Sequence, residues 1–207
     1  MPQLELDPSD SQTKGSISLA RPASNSTRNF GRFPNTADWS PGDIVLLRSA
    51  DPSWISRLIM RAQEKKYAIE HARWTHVAVY IGDEHICEAL PCKGVVYHRI
   101  DHYVGARIMR VRRPLHLSDA QRYRLCIETL VQLKKQYSIW KALFGLLGSF
   151  TLRSIESTAP VVCSQLYAIA YVRATNLILL GEALVTPAHL SAAAELEDIP
   201  VHWAVIA

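Results

Sequence analysis

Three side chains suited to thiol chemistry stand at suggestive places. His76 heads the apolar run Val77-Ala78-Val79-Tyr80-Ile81, Glu88 follows it by twelve residues, and Cys163 sits much later in Val162-Cys163-Ser164. A thiolate attacks a carbonyl carbon when an imidazole manages its proton and a third polar group orients that imidazole. The three need only meet in space, whatever their order along the chain. A free cysteine ionises near about pH 8.5, and a helix N-terminus or a neighbouring histidine lowers that value. Cys163 is predicted in the first turn of a helix, where backbone N–H groups can also receive an oxyanion. Cys126, between Leu125 and Ile127 in a helical pattern, reads as a buried structural thiol.

Positioning these groups takes a hairpin and a helix. Strand alternation puts Val77, Val79 and Ile81 on one face and His76, Ala78 and Tyr80 on the other. The strand over 75–81 turns at Gly82-Asp83-Glu84 into a second strand over 85–90. A three-residue loop pairs Tyr80 with Ile86 and Ala78 with Glu88, which sets Glu88 diagonal to His76, where it could accept the Nδ1–H. A two-residue turn at Gly82-Asp83 reverses the parity and puts Cys87 on that face, so the loop length decides.

Around this hairpin the chain predicts a strand at Ile44-Val45-Leu46-Leu47 after a Pro41-Gly42 turn and a helix from Trp54 to Lys66. Further strands are expected at 94–97 and 107–112, then a helix capped by Ser118 running to about Gln136, and a helix from Cys163 to Ala174. Strands grouped early and helices grouped late predict an α+β fold, an antiparallel sheet packed against helices. Residues 1–36, rich in Ser, Asn, Thr and Pro, read as a flexible tail, and 37–207 as a single domain.

The composition, 48% hydrophobic and 20% charged with a net charge of +4, is that of a globular domain. Arg107, Arg110, Arg112 and Arg113 have no interleaved aromatics to stack on bases, so they read as a solvated strand face and no nucleic-acid partner is expected. The N-terminus has no signal-like apolar core, which makes reduced thiols and synthesis in the cytoplasm the expectation. The spacing of Cys87 and Cys92 lacks the second matched pair of a structural zinc site, so no metal and no cofactor are expected. The run from Ile139 to Leu152 is interrupted and too short to span a bilayer.

Pro41-Gly42-Asp43-Ile44-Val45-Leu46, then Thr75-His76-Val77-Ala78-Val79-Tyr80-Ile81-Gly82 and a polar residue twelve after the histidine, resemble the NlpC/P60 superfamily. In the usual order of that family the cysteine comes first. Here Val162-Cys163-Ser164-Gln165-Leu166 comes last, which resembles the circularly permuted, YiiX-like branch of papain-like cysteine hydrolases. Thr186-Pro187-Ala188-His189-Leu190 is similar to that branch's segment after the cysteine helix. The resemblance spans about residues 40–190 and implies a permuted papain-like fold, with Cys163 as nucleophile, His76 as base and Glu88 where a second histidine is frequent.

It further implies a cysteine peptidase or amidase acting on peptidoglycan stem peptides, or, with the same triad, a hydrolase or acyltransferase of lipid esters or amides. A protein of this kind without a secretory signal would reach the cell envelope by a signal-less route, as an antibacterial effector with a secretion-system or immunity partner. A binding module that has lost catalysis is a third reading, against which the joint presence of Cys163, His76 and Glu88 argues. Gln63 is the expected oxyanion donor by analogy with papain-like sites. Tyr137, Trp140 and Phe144, with Leu143 and Leu147, are expected to line the substrate cleft.

Overall fold

Ile44, Val45, Leu46 and Leu47 form a run with no polar alternation because the strand they build is covered on both faces. The computed structural model describes residues 32–90, 93–104, 107–133, 163–181 and 185–205. Tyr137, Trp140, Phe144 and the rest of the expected cleft wall lie outside the described residues, as does Cys92.

Six strands make one antiparallel sheet: β2 (Ile44–Ser49), β3 (His76–Gly82), β4 (His85–Leu90), β5 (Gly94–Arg99), β6 (Arg107–Pro114) and β7 (Leu196–Ile199), in the order β5-β4-β3-β2-β6-β7. A separate antiparallel pair joins β1 (Arg32–Asn35) to β8 (His202–Val205). The tail expected over residues 1–36 therefore overlaps a strand. Its partner comes from the far end of the chain, so no local pattern announces it.

Five α-helices are described: α1 (Trp54–Gln63), α2 (Ile69–Ala72), α3 (Asp119–Leu130), α4 (Cys163–Thr175) and α5 (Pro187–Ala192). Ser53 caps α1, and Ser118 with Gln121 forms a reciprocal capping box on α3. Helix α3 ends at Leu130, short of the expected Gln136. Its inner Leu125 joins Tyr167, Ala170 and Cys163 of α4 over Ile44, Leu46, Val77 and Val79. The opposite sheet face, with Val45, Leu47, Ala78, Tyr80 and Ile86, is covered by Trp39, Ile100 and Tyr103, the last two from a 3-10 turn at Ile100–Tyr103. The architecture is α+β, antiparallel sheets packed against helices.

Two turns set the register. Gly42 follows Pro41 with φ +87, which favours glycine, and the Asp43 N–H closes the turn on Ser40 O at 3.0 Å. Tyr167 Oη donates to Gly42 O at 3.2 Å and ties α4 to that turn. In the β3–β4 hairpin only Asp83 and Glu84 form the loop, with φ of 49° and 60°, and Gly82 pairs with His85. A register shift between Tyr80 and Gly82 leaves Ile81 as a bulge, and pairing resumes with Tyr80 opposite Ile86 and Ala78 opposite Glu88. The parity expected from a three-residue loop thus arises from a two-residue loop plus one bulged residue.

The arginines of β6 are not a solvated face. Arg112 is buried and donates to the carbonyls of Ser191 at 2.6 Å, Ala193 at 2.5 Å and Leu196. Arg113 grips the buried Asp43 carboxylate at 2.9 and 2.7 Å, and Arg110 pairs with Asp198. Strand β6 lies between β2 and β7, so these guanidinium groups meet carboxylates and loop carbonyls that need donors.

Candidate active site

His76 opens β3 at the strand's end. Glu88 lies opposite Ala78 in β4, diagonal to His76 on the same face. Its side chain is fully buried, and an ionised carboxylate there requires several strong partners. Tyr103 Oη donates to both carboxylate oxygens, at 2.7 and 2.8 Å. His76 Nε2 hydrogen-bonds Glu88 Oε2, and His98 Nε2 of β5 lies 2.7 Å from Oε1. The His98 ring is not aimed for an aligned hydrogen bond, so that contact is one of charge and proximity.

Cys163, the first residue of α4, lies near enough to His76 for its sulfur to act on the charge of the ring. Because Nε2 faces Glu88, Nδ1 is the nitrogen left for the thiol, the reverse of the Nδ1–Glu88 pairing expected from sequence. Burial alone would pull the His76 imidazole down, but the Glu88 carboxylate and then Cys163 outweigh it and raise it to about 10. Burial pushes Glu88 up, yet the charge and hydrogen bond of His76, with the proximity of His98, hold it well below the usual carboxylate range. His76 is therefore an imidazolium at neutral pH, between a carboxylate and a sulfur.

The other described thiols sit differently. Cys87 pairs with Val79, packs with Leu166 on the helix-covered side, and is pushed up to about 12, by burial first and then by the Glu88 charge. This excludes the alternative register that puts Cys87 beside His76. Cys126 is pushed up to about 11, chiefly by burial.

Gln63 takes neither an oxyanion-donor nor a solvated role. It is buried, Nε2 donates to Ala72 O at 2.9 Å and Trp74 O at 2.8 Å, and Oε1 accepts from Ala188 N at 2.9 Å. Both amide protons are engaged, so Gln63 clamps the end of α1 to α2 and α5. His71 Nδ1 meets Ser191 Oγ at 3.0 Å, and His189 stacks on Tyr67.

Sequence reasoning missed two partners of Glu88. Val96 pairs with Glu88 and His98 with Ile86, so the parity that finds Glu88 also finds His98 once β5 extends to Arg99. Tyr103 comes from the 3-10 turn, which has no periodic signal.

No family model and no curated protein matches the sequence. Among solved structures the chain is similar to one described as metalloprotein YiiX from Escherichia coli O157:H7, DUF1105, with a TM-score of 0.58 and 19% identity over 80% of this chain and 98% of that one. A likeness of this strength shows a shared fold. Among the described residues no group of three or more His, Cys, Asp and Glu side chains is arranged to hold a metal ion. Both oxygens of Glu88 are already engaged by protein donors.

Proposed function

We propose that this protein is a cysteine hydrolase of the circularly permuted papain-like type that cleaves amide bonds. The observation that carries the reading is the convergence of Cys163 and Glu88 on His76, brought together by a helix and two paired strands. Cys163 as thiolate attacks the carbonyl carbon. The first-turn N–H groups of α4, which have no partners within the helix, receive the oxyanion. His76 gives its proton to the leaving amine, and the neutral ring then takes a proton from the water that hydrolyses the thioester. Glu88 and Tyr103 hold the ring in place throughout.

The preferred substrates are peptidoglycan stem peptides. This part of the reading rests on the motif resemblance alone. The test is mass spectrometry of purified peptidoglycan incubated with wild type and with Cys163→Ala. New stem-peptide fragments made only by the wild type are expected. Unchanged peptidoglycan, with Cys163 readily alkylated at pH 6, would remove this substrate and leave the thiol chemistry.

A further inference from the structure

A buried carboxylate that loses its cationic partner is destabilised, and the proposed reaction imposes that loss in every turnover. When His76 hands its Nδ1 proton to the leaving group, Glu88 keeps its charge but loses its cationic partner, and only neutral donors remain on it, the His76 Nε2–H and the Tyr103 hydroxyl. Around Glu88, one group is placed to make up the deficit. His98 Nε2 is 2.7 Å from Oε1, and the His98 side chain is 22% exposed where that of Glu88 is 0%, which gives the ring a way to exchange protons with solvent.

The other neighbours do not qualify. Tyr103 is driven above the usual phenol range, by burial and then by Glu88, so it stays a donor. The His102 ring lies 4.5 Å from that of His98 and is pulled down, by burial first and then by His98, so it does not supply the cation. Lys93 and Asp101 act on His102 with opposite signs, and Arg107 lies over the Tyr103 ring at 5.7 Å. Cys163 reaches the group through His76.

We propose that His98 is a second proton carrier on Glu88, taking a proton from solvent as His76 gives one away and returning it as His76 recovers. The proposal rests on the hydrolase reading for its place in the cycle. In acylation His76–H⁺ loses a proton to the amine nitrogen while His98 gains one from a solvent acid. In deacylation His76 takes a proton from the attacking water and His98 releases one to solvent. The net proton count is zero, and the carboxylate is never without a cation. His98 is a positioning residue, acting through Glu88 without touching substrate.

The prediction is reciprocal coupling, read by ring nitrogen NMR titration of the histidines in the full chain. In His76→Asn, a mimic of the neutral ring, the His98 midpoint rises by about one pH unit or more, a tenfold tighter hold on its proton. In Glu88→Gln, with His76 intact, the same midpoint falls. Midpoints that stay within about 0.3 pH units of wild type in both variants would overturn the proposal, and either variant alone decides it if the other does not fold. Iodoacetamide labelling of wild-type Cys163 at pH 6 is measured in parallel. A coupled His98 beside an unreactive Cys163 would refute the hydrolase reading while leaving the shared carboxylate standing.

Discussion

Replacing Glu88 with glutamine keeps the side chain's size and removes the charge that holds His76 protonated. In the wild type that charge and Cys163 carry the imidazole to about 10 against a burial effect of opposite sign. Without the carboxylate, burial acts against a much weaker counterweight, and His76 is expected to be largely neutral through the neutral range. Cys163 then has no cation beside it. An unassisted thiol is about 0.3% ionised at pH 6 and about 10% at pH 7.5. The more basic thiolate is intrinsically more nucleophilic, which recovers part of the difference. Net alkylation at pH 6 is expected to fall by about tenfold, with the gap closing toward about pH 8.5. The profile's shape is the sharper readout. Alkylation of Cys163 by iodoacetamide, followed by peptide mass spectrometry, is expected to be faster in the wild type than in Glu88→Gln by the widest margin at the acid end of the range, where the His76 imidazolium stands beside the sulfur. In Glu88→Gln the rate climbs by close to a factor of ten per pH unit. Parallel profiles in the two proteins would refute the reasoning, since Glu88 would then not set the state of the pair.

The same pair predicts a pH-dependent stability. The raised His76 contributes stability that is whole below its ordinary 6.5 and is lost as the pH climbs toward about 10. The lowered Glu88 contributes stability that is whole above its ordinary 4.5 and is lost as the pH falls further. The Tm contribution of this pair is therefore greatest between 4.5 and 6.5, and Glu88→Gln flattens the curve, as thermal melts across pH would show. Tyr103→Phe removes a hydroxyl donor from a buried charge and is expected to cost about 1.5–3 kcal/mol in urea titrations. Gln63→Leu strands the Ala72 and Trp74 carbonyls and the Ala188 N–H. It should destabilise by about 2–4 kcal/mol while Cys163 alkylation per folded molecule stays within about twofold, whereas an oxyanion role would leave stability intact and abolish hydrolysis.

What was legible in the sequence was whatever had a period. Alternation placed His76 and Glu88 on one face, and the 3.6-residue repeat put Cys163 at a helix start. The loop was less legible. The hairpin reached the right parity through a bulge at Ile81, because Gly82, Asp83 and Glu84 all take positive φ and the two-residue loop they build needs one extra residue to restore the register. Gln63 misled because an isolated glutamine says nothing about burial; its three partners lie nine or more residues away, one of them 125 residues on. The β6 arginines misled for the same reason, since their acceptors belong to segments that follow α4 in the chain or precede β3.

The carboxylate at position 88 gains a physical meaning from those long-range contacts. A neutral orienter in that place could fix the His76 ring but would not raise it, and it would give His98 no shared charge to answer. A buried glutamate does both, provided that something satisfies its second oxygen. In this chain a tyrosine from a turn with no periodic signal donates to both oxygens, and a histidine from a strand two residues longer than its pattern suggested lies against the second. The residues hardest to read from sequence are the ones that let the most legible one stay charged.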